Sequence, residues 1–222
     1  MCGGFGLFDF NDFSDRFQIR SQIAKEQKTY NIRPSMTALA ITESQNKREV
    51  QPMRFGLVPF WAKDTKIGYK LFNARAETIF EKPAWKRSAK SKRCIIPANG
   101  FFEWQQQPDG KHPQFIYLDD QKLFSFAGLY DQWTNKESGE EIASLAIITT
   151  TPNKEMQPIH DRMPVILNPQ SEELWLSDSA DEDFLKDLLT PYPTGHIKHY
   201  EVSTLVNKAS NQGKEVIEPI HT

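Results

Sequence analysis

Seven short strand-forming segments recur between residues 36 and 150, several of them separated by polar turns, and this pattern restricts the fold more than any other feature. The segments cover residues 36–42, 49–55, 94–97, 101–105, 114–118, 123–130 and 142–150. Turn sequences such as Pro108-Asp109-Gly110 join consecutive segments, a connection that suits antiparallel neighbours. The pattern therefore predicts a β-rich core whose strands are largely antiparallel.

Helices are expected on either side of this β-rich region. Asn11 or Asp12 can cap a helix that continues through Ile23. Residues 171–176 and 181–189 predict two acidic helices, which would repel DNA and so lie away from a DNA-binding face. A closing strand is expected in residues 199–206. Because no linker, repeat or low-complexity segment interrupts the sequence, we expect a single domain over residues 1–222.

The composition limits the class of protein. With 222 residues, of which 38% are hydrophobic, the chain can bury a sizeable core. It has no apolar run long enough to span a membrane and no signal-peptide pattern, so a cytoplasmic location is expected. The two cysteines, Cys2 and Cys94, are not spaced as a zinc site or a disulfide framework. A net charge of −2 gives no overall sign of nucleic-acid binding, which would need a local basic patch.

Cys2 is the candidate nucleophile because it directly follows the initiator methionine. Residue 2 is small, so removal of Met1 is expected. The new terminus would carry an amine with a normal pKa of about 7.7–8.0 beside a thiol with a normal pKa of about 8.5. An aldehyde can form a Schiff base with this amine, and the thiol can then close a five-membered thiazolidine ring. From this residue alone, an ordinary start codon followed by a buried cysteine remains the alternative.

Residues 82–93 form the one clear basic segment. Six of these twelve residues are basic, none is acidic, and Trp85 lies among them beside Lys86 and Arg87. The cations could contact phosphates and the indole could stack on a base, although charge runs are more often only solvated surface. Trp61, in a loop bounded by Pro59, can similarly either stack or pack in the core.

Three polar groups could carry acid/base or binding chemistry. Asn73 and Arg75 would project to the same side of an extended segment and could hold a sugar or an anion, or Asn73 could instead cap a helix. Glu103 lies among large aromatic residues; strand alternation alone favours the solvated face, whereas an apolar site would raise its pKa. His160, followed by Asp161 and Arg162 in a loop between prolines, is the best acid/base candidate among the five histidines.

Four motifs in order resemble the SRAP family, the SOS-response-associated peptidase-like proteins. They are Met1-Cys2-Gly3, Asn73-Ala74-Arg75-Ala76-Glu77-Thr78, Gly100-Phe101-Phe102-Glu103-Trp104 and Ile159-His160-Asp161-Arg162-Met163-Pro164. The resemblance spans nearly the whole chain. It implies an α+β fold, a single domain with a β-barrel-like, mostly antiparallel core flanked by helices.

The resemblance also implies a function, covalent capture of abasic sites in single-stranded DNA. Cys2 would be the nucleophile, Asn73 would position the ring-opened sugar, and Glu103 and His160 would transfer protons. Residues expected to contact DNA are Arg75, Trp61, Trp85, Lys86, Arg87 and Arg162. No metal or organic cofactor is expected, no membrane partner is expected, and the protein is expected to be a monomer.

One departure and two rival functions remain. The family typically begins Met-Cys-Gly-Arg, whereas this chain has Gly4, so a cation near the DNA phosphates is expected to be missing. That loss should weaken DNA binding without removing a group that forms the covalent bond. The rivals are a cysteine peptidase using Cys2, Glu103 and His160, and a module that binds single-stranded DNA without a covalent product.

Overall fold

The computed structural model of the protein describes residues 2–20, 28–45 and 47–220. Its strands are β1 (Phe5–Leu7), β2 (Thr29–Ile32), β3 (Thr37–Ser44), β4 (Lys47–Phe55), β5 (Asn73–Arg75), β6 (Arg93–Ala98), β7 (Gly100–Gln107), β8 (Gly110–Leu118), β9 (Phe124–Thr134), β10 (Glu141–Thr150), β11 (Met163–Pro164), β12 (Ile166–Leu167) and β13 (Ile197–Glu201). The α-helices are α1 (Phe13–Phe17), α2 (Lys86–Ser91), α3 (Pro169–Leu176) and α4 (Glu182–Asp187). Short 3₁₀ helices cover Thr65–Tyr69, Ala76–Thr78, Thr204–Asn207 and Lys214–Val216.

The strands form two sheets. The smaller sheet has the order β13-β8-β7-β1-β2, and the larger has the order β11-β10-β4-β3-β6-β9-β12, with β5 paired to β10. Most neighbours are antiparallel, but β10 runs parallel to both β4 and β5. The predicted α+β fold with a mostly antiparallel, β-barrel-like core and flanking helices is confirmed.

Aromatic side chains join the inner faces of the two sheets. Phe5 of β1 packs edge-on against Phe55 and Phe126, with ring centroids 5.6 and 5.8 Å apart. Phe101 of β7 reaches the same Phe126 at 5.8 Å. These rings belong to one continuous apolar core. Because Phe5 lies in the middle of that core, the N-terminal segment is an integral part of the fold.

The other face of the smaller sheet is also covered. Phe102 of β7 and Phe115 of β8 pack there with Val202, Val206 and Val216 from the last part of the chain. Side chains alternate between the two faces of a strand, so Phe101 and Glu103 share the inner face of β7 while Phe102 lies on the outer one. Both faces of β7 are therefore buried near Glu103.

The helices are shorter than predicted at the N-terminal end. Helix α1 ends at Phe17, and Gln18 after it has the left-handed φ of 57° that commonly closes a helix. The helix was predicted to continue to Ile23, but residues 18–20 are not helical, so this prediction is wrong there. Residues 21–27 lie outside the described residues. The two acidic helices are confirmed as α3 and α4, each capped by a side chain, Asn168 or Asp181.

The predicted closing strand is present but ends early. It forms β13 over Ile197–Glu201, and the chain then turns into the 3₁₀ helix Thr204–Asn207. Among the helices that the structure describes, none combines the length and apolar character needed to cross a bilayer.

Candidate active site

Cys2 is fully buried at the start of the smaller sheet. Its position is fixed by β1, which pairs with β2 on one side and with β7 on the other. The thiol Sγ lies 3.8 Å from the carbonyl oxygen of Gly4, the acceptor of its weak hydrogen bond. Burial raises the pKa of the Cys2 thiol above its usual value, and the negative charge of Glu103 raises it further. The thiol of the intact chain is therefore held in its protonated form.

Asn73 contacts the residue that carries this thiol. Its Nδ2 donates to the carbonyl oxygen of Cys2 at 3.1 Å and to that of Phe72 at 3.0 Å. Asn73 begins β5, so the predicted extended conformation is confirmed, and the 3₁₀ helix begins only at Ala76. Within the described residues, the buried Oδ1 of Asn73 has no hydrogen-bond partner. This acceptor is available to a hydroxyl group of a ligand.

Glu103 is buried on the inner face of β7, with 2% of its surface exposed. The solvated position that strand alternation favoured is wrong, because Glu103 shares the inner face of β7 with Phe101, and this face packs into the core between the two sheets. Burial raises the pKa of the Glu103 carboxyl, and the charge of His160, when its ring is protonated, opposes that rise. A carboxyl in this environment can both donate and accept a proton closer to neutral pH than an exposed glutamate can.

His160 faces Glu103 from the loop between β10 and β11. Its Nε2 lies 3.9 Å from Oε2 of Glu103, while Nδ1 accepts a hydrogen bond from the backbone N–H of Arg162 at 3.0 Å. Nδ1 is also 2.8 Å from Oδ1 of the exposed Asp161, which would need a proton on the same nitrogen. We assign the neutral ring's proton to Nε2, because the backbone donor has fixed geometry and the Asp161 side chain is free to rotate. The N–H of His160 then points toward Glu103.

Arg162 is buried and bonded to other residues of the protein. It is 8% exposed, and its guanidinium donates to both carboxylate oxygens of Glu77, at 2.6 and 3.0 Å. It also donates to the carbonyl oxygen of Thr149 at 2.6 Å. This bonding lowers the pKa of Glu77 below its usual value. The guanidinium thus ties the His160 loop to the turn that follows Asn73, and the expected DNA contact of Arg162 stays a prediction.

The prediction for Trp85 is corrected. Its ring is 5% exposed and belongs to the main core, so it cannot stack on a base. Helix α2 explains this, because Ser88 and Ala89 are buried on the same side as Trp85, while Lys86 and Arg87 are exposed. The basic segment is thus an amphipathic helix with a cationic outer face.

The aromatic loop and the basic segment meet at the surface. Phe60 and Trp61 are about half exposed, at 48% and 49%, so Trp61 is not a core residue. The Arg87 guanidinium lies over the Phe60 ring, 4.2 Å from its centroid. We call Phe60, Trp61, Lys86 and Arg87 the aromatic-basic face. Arg75 is exposed at the end of β5.

Three side chains that do not belong to the candidate active site could share a metal ion. Asp119, Asp120 and His196 place one ligand atom each within 4.8 Å of the others, and both carboxylates are exposed. None of Cys2, Asn73, Glu103 or His160 belongs to this group.

Two neighbours of Cys2 were not predicted as site residues. Arg33, after β2, donates to the carbonyl oxygen of Gly3, and Trp104 of β7 lies against its guanidinium. Arg33 is the one charged residue in the segment Tyr30-Asn31-Ile32-Arg33-Pro34, which is the only sequence signal that could have drawn attention to it.

Comparison with known proteins gives a consistent result. The sequence model of the SOS response associated peptidase (SRAP) family matches residues 1–209. The abasic site processing protein YoqW of Bacillus subtilis is 45% identical over 223 residues, which cover 98% of this chain and 99% of that protein. The abasic site processing protein HMCES of Xenopus tropicalis is 34% identical over 228 residues, covering 88% of this chain and 67% of that protein. A crystal structure of a protein from Bacteroides thetaiotaomicron has a TM-score of 0.88 and 31% identity, covering 98% of this chain and 99% of that one.

Proposed function

Because this chain belongs to the SOS response associated peptidase (SRAP) family, we propose that it is an abasic-site processing protein that captures ring-opened abasic sites in single-stranded DNA as a covalent adduct on Cys2. The observation that carries the proposal is the arrangement around residue 2. Asn73 donates to the Cys2 carbonyl, Glu103 acts electrostatically on its thiol, and both polar groups come from distant parts of the chain. Relatives that match along nearly the whole chain are named abasic site processing proteins.

The proposed reaction uses both groups of a terminal cysteine. After removal of Met1, the Cys2 amine attacks the C1′ aldehyde of the open sugar, and loss of one water leaves a Schiff base. The Cys2 sulfur then adds to the imine carbon, and its proton passes to the imine nitrogen. The product is a thiazolidine, so the overall change is aldehyde plus cysteine giving ring plus water.

Glu103 and His160 supply the proton transfers in this scheme. The carboxyl with the raised pKa protonates the departing hydroxyl of the first adduct and, once ionised, accepts the proton of the buried thiol. His160, 3.9 Å from that carboxyl, exchanges protons between Glu103 and solvent, because its ring is partly exposed. Ring opening of the closed sugar and reversal of the adduct would use the same pair.

Asn73 positions the substrate. Its amide group is anchored through Nδ2 to the main chain of Cys2, which leaves Oδ1 to accept a hydrogen bond from the sugar hydroxyl that ring opening produces. The ion pair between Arg162 and Glu77 fixes the position of the His160 loop relative to the segment that carries Asn73. Substrate geometry would then depend on residues that never contact DNA.

The aromatic-basic face and Arg75 are proposed to hold the flanking strand. Exposed rings stack on unpaired bases, and exposed cations contact phosphates, so this surface suits a single strand. We propose that one protein molecule, acting as a monomer, binds one abasic site and shields it during the response to DNA damage.

Two rival activities use the same residues. A peptidase acting on other proteins would need an activated thiolate, but the pKa of the Cys2 thiol is raised, the opposite of the effect of a cysteine–histidine pair. Removal of its own Met1 with help from Glu103, and a lyase-type strand cleavage after Schiff-base formation, remain compatible with the site. A purely non-covalent module would rely on the aromatic-basic face without Trp85.

A denaturing gel separates these possibilities. The protein is incubated with single-stranded oligonucleotides that contain an abasic site, a stable tetrahydrofuran analogue without an aldehyde, or no lesion. We expect a shifted band that survives heat and detergent only with the true abasic site. Equal attachment to all three strands would contradict capture of the aldehyde, and binding without any denaturant-resistant band would favour the non-covalent module.

Charge reversal on the aromatic-basic face should weaken DNA binding. For Lys86→Glu combined with Arg87→Glu, we expect lower affinity for the tetrahydrofuran strand and a salt-dependence slope reduced by about 1.4, since each lost phosphate contact on a single strand contributes about 0.7. The measurement is fluorescence anisotropy over a salt series.

The matched control is Lys111→Glu combined with Lys136→Glu. It changes the net charge equally at two exposed lysines outside this face. If both double variants lower the slope alike, the effect comes from net charge, and the aromatic-basic face is not the binding surface.

A further inference from the structure

We propose that Arg33 is a DNA-phosphate-binding residue of the Cys2 site, and that its guanidinium takes the place of the cation that the family resemblance implies at position 4. This inference rests on the proposed function. It deepens that function, because it identifies which group of this chain receives the phosphate next to the captured sugar.

Arg33 is held beside the N-terminal segment by two main-chain acceptors. Its Nη1 donates to the carbonyl oxygen of Gly3 at 3.1 Å, and its Nη2 donates to that of Val206 at 2.8 Å. Gly3 directly follows the nucleophilic residue. The cation is therefore anchored one residue from Cys2 and is only partly buried.

Trp104 fixes the plane of the guanidinium. The Arg33 Cζ lies 4.8 Å from the centroid of the Trp104 ring, and the indole N–H donates to Oδ1 of Asn207 at 2.8 Å. Trp104 follows Glu103 in β7, so the same strand places the acid/base group and supports the cation. A guanidinium has five N–H groups. In the described part of the chain, these main-chain bonds use two of them, which leaves three N–H groups that can donate to a phosphate.

Gly4 and Arg33 compete for the same space. A Cβ on Gly4 would lie 2.9 Å from Nη1 of Arg33, 3.2 Å from its Cδ and 3.3 Å from its Cζ. A side chain at position 4 would therefore displace the guanidinium. The resemblance to proteins that begin Met-Cys-Gly-Arg implies a guanidinium on residue 4, whereas this chain has a glycine there and an arginine filling the vacated space.

The electrostatics of the site agree with this placement. Among the groups that affect the Cys2 thiol, the charge of Arg33 lowers its pKa, against the larger effects of burial and of Glu103. Burial in turn lowers the pKa of Arg33. A partly desolvated cation next to the nucleophile favours a phosphate, because the anion replaces solvent that the guanidinium has already lost.

The test exchanges the two positions and measures non-covalent binding. The ligand is a single-stranded oligonucleotide with the tetrahydrofuran analogue, so the result does not depend on aldehyde chemistry. The variants are Arg33→Ala, Gly4→Arg, and the double variant Gly4→Arg/Arg33→Ala. We expect Arg33→Ala to lose about tenfold in affinity and to lower the salt slope by about 0.7.

The double variant should recover most of this loss, whereas Gly4→Arg alone should not improve on the unchanged protein because the two side chains collide. An Arg33→Ala protein with unchanged affinity and salt slope would overturn the inference, and so would a double variant as weak as Arg33→Ala. Arg33→Gln, which keeps a donor for the Gly3 carbonyl but no charge, provides a second comparison if Arg33→Ala does not fold. It should show the same loss of slope, and an unchanged slope in a folded Arg33→Gln protein would also overturn the inference.

This outcome is separable from that of the proposed function. If the unchanged protein forms no denaturant-resistant band with abasic DNA, covalent capture fails whatever Arg33 does. If that band forms but Arg33 variants bind the tetrahydrofuran strand normally, only the role of Arg33 fails.

Discussion

Replacing Cys2 with serine should convert a denaturant-resistant adduct into a transient one. The terminal amine is retained, so a Schiff base with the abasic aldehyde still forms. A hydroxyl is a much poorer nucleophile than sulfur toward the imine carbon at neutral pH, so the thiazolidine ring does not close. We expect almost no band on a denaturing gel without treatment and a clear band after borohydride reduction, together with strand cleavage by β-elimination.

Cys94→Ser is the matched control for this experiment. Cys94 is the other cysteine of the chain and is fully buried in β6, with its backbone paired to Gly128. The folded Cys94→Ser protein should cross-link like the unchanged protein.

An extension left uncleaved before Cys2 should remove both the stable and the borohydride-trapped products, because an amide nitrogen forms no Schiff base. If the extended protein still cross-links normally, the terminal amine is not the nucleophile.

Replacing Glu103 with glutamine should slow adduct formation and at the same time stabilise the fold at neutral pH. Loss of a general acid/base group typically costs about 10²- to 10⁴-fold in rate. Burial raises the pKa of Glu103, so the folded protein retains a proton that the unfolded chain releases above a pH of about 4.3. The carboxyl therefore costs stability increasingly as the pH rises from there through its folded pKa. A neutral amide does not carry this cost.

The expected result is a higher Tm for Glu103→Gln at pH 7–8, with the difference disappearing near pH 4. Each 1 kcal/mol gained would correspond to roughly 2–4 °C in a protein of this size. Cross-linking rates of the variant should also lose the pH dependence contributed by this carboxyl. Thermal unfolding and cross-linking time courses over the same pH series provide both measurements.

Glu172→Gln is the matched control because its carboxylate is as buried as that of Glu103 and is bound by a guanidinium. Glu172 accepts hydrogen bonds from Arg16 at 2.8 and 2.7 Å and from Ser125 at 2.6 Å. Removing its charge breaks the ion pair with the partly buried Arg16, so this variant should be less stable at neutral pH. If both variants shift Tm in the same direction, the stability cost assigned to Glu103 is wrong.

The sequence predicted the sheet well because strand alternation and turns are local signals. The predicted segments 36–42, 49–55 and 142–150 correspond to β3, β4 and β10, with boundaries that agree within two residues. Glu103 shows the limit of this reasoning. Its burial on the inner face of β7, which also carries Phe101, comes from the packing of the two sheets against each other, and alternation within one strand does not report this packing.

The burial of Trp85 and the ion pair of Arg162 were missed for a different reason. The local composition, an aromatic among cations and a cation beside a histidine, suggested DNA contacts. The helical period of residues 85–91 already separates Trp85 from Lys86 and Arg87, and this period decides which side chains point outward. For Arg162 no such signal exists, because its partner Glu77 is 85 positions away. The site residues themselves were identified by motif resemblance, while their convergence on Cys2 required the structure.

The anchoring of β1 has a mechanical consequence for a protein that becomes attached to DNA. A motor that moves along the captured strand would pull through Cys2 on this three-residue strand. Backbone hydrogen bonds of antiparallel strands lie across the strand axis. A load along β1 is therefore shared in shear by its bonds to β2 and β7, including those from Phe102 to Gly4 at 2.9 Å and from Asn99 to Gly6 at 2.8 Å. Extraction of the proposed adduct would require these bonds to break together, so we expect the central position of β1 to resist removal of the protein from a captured strand.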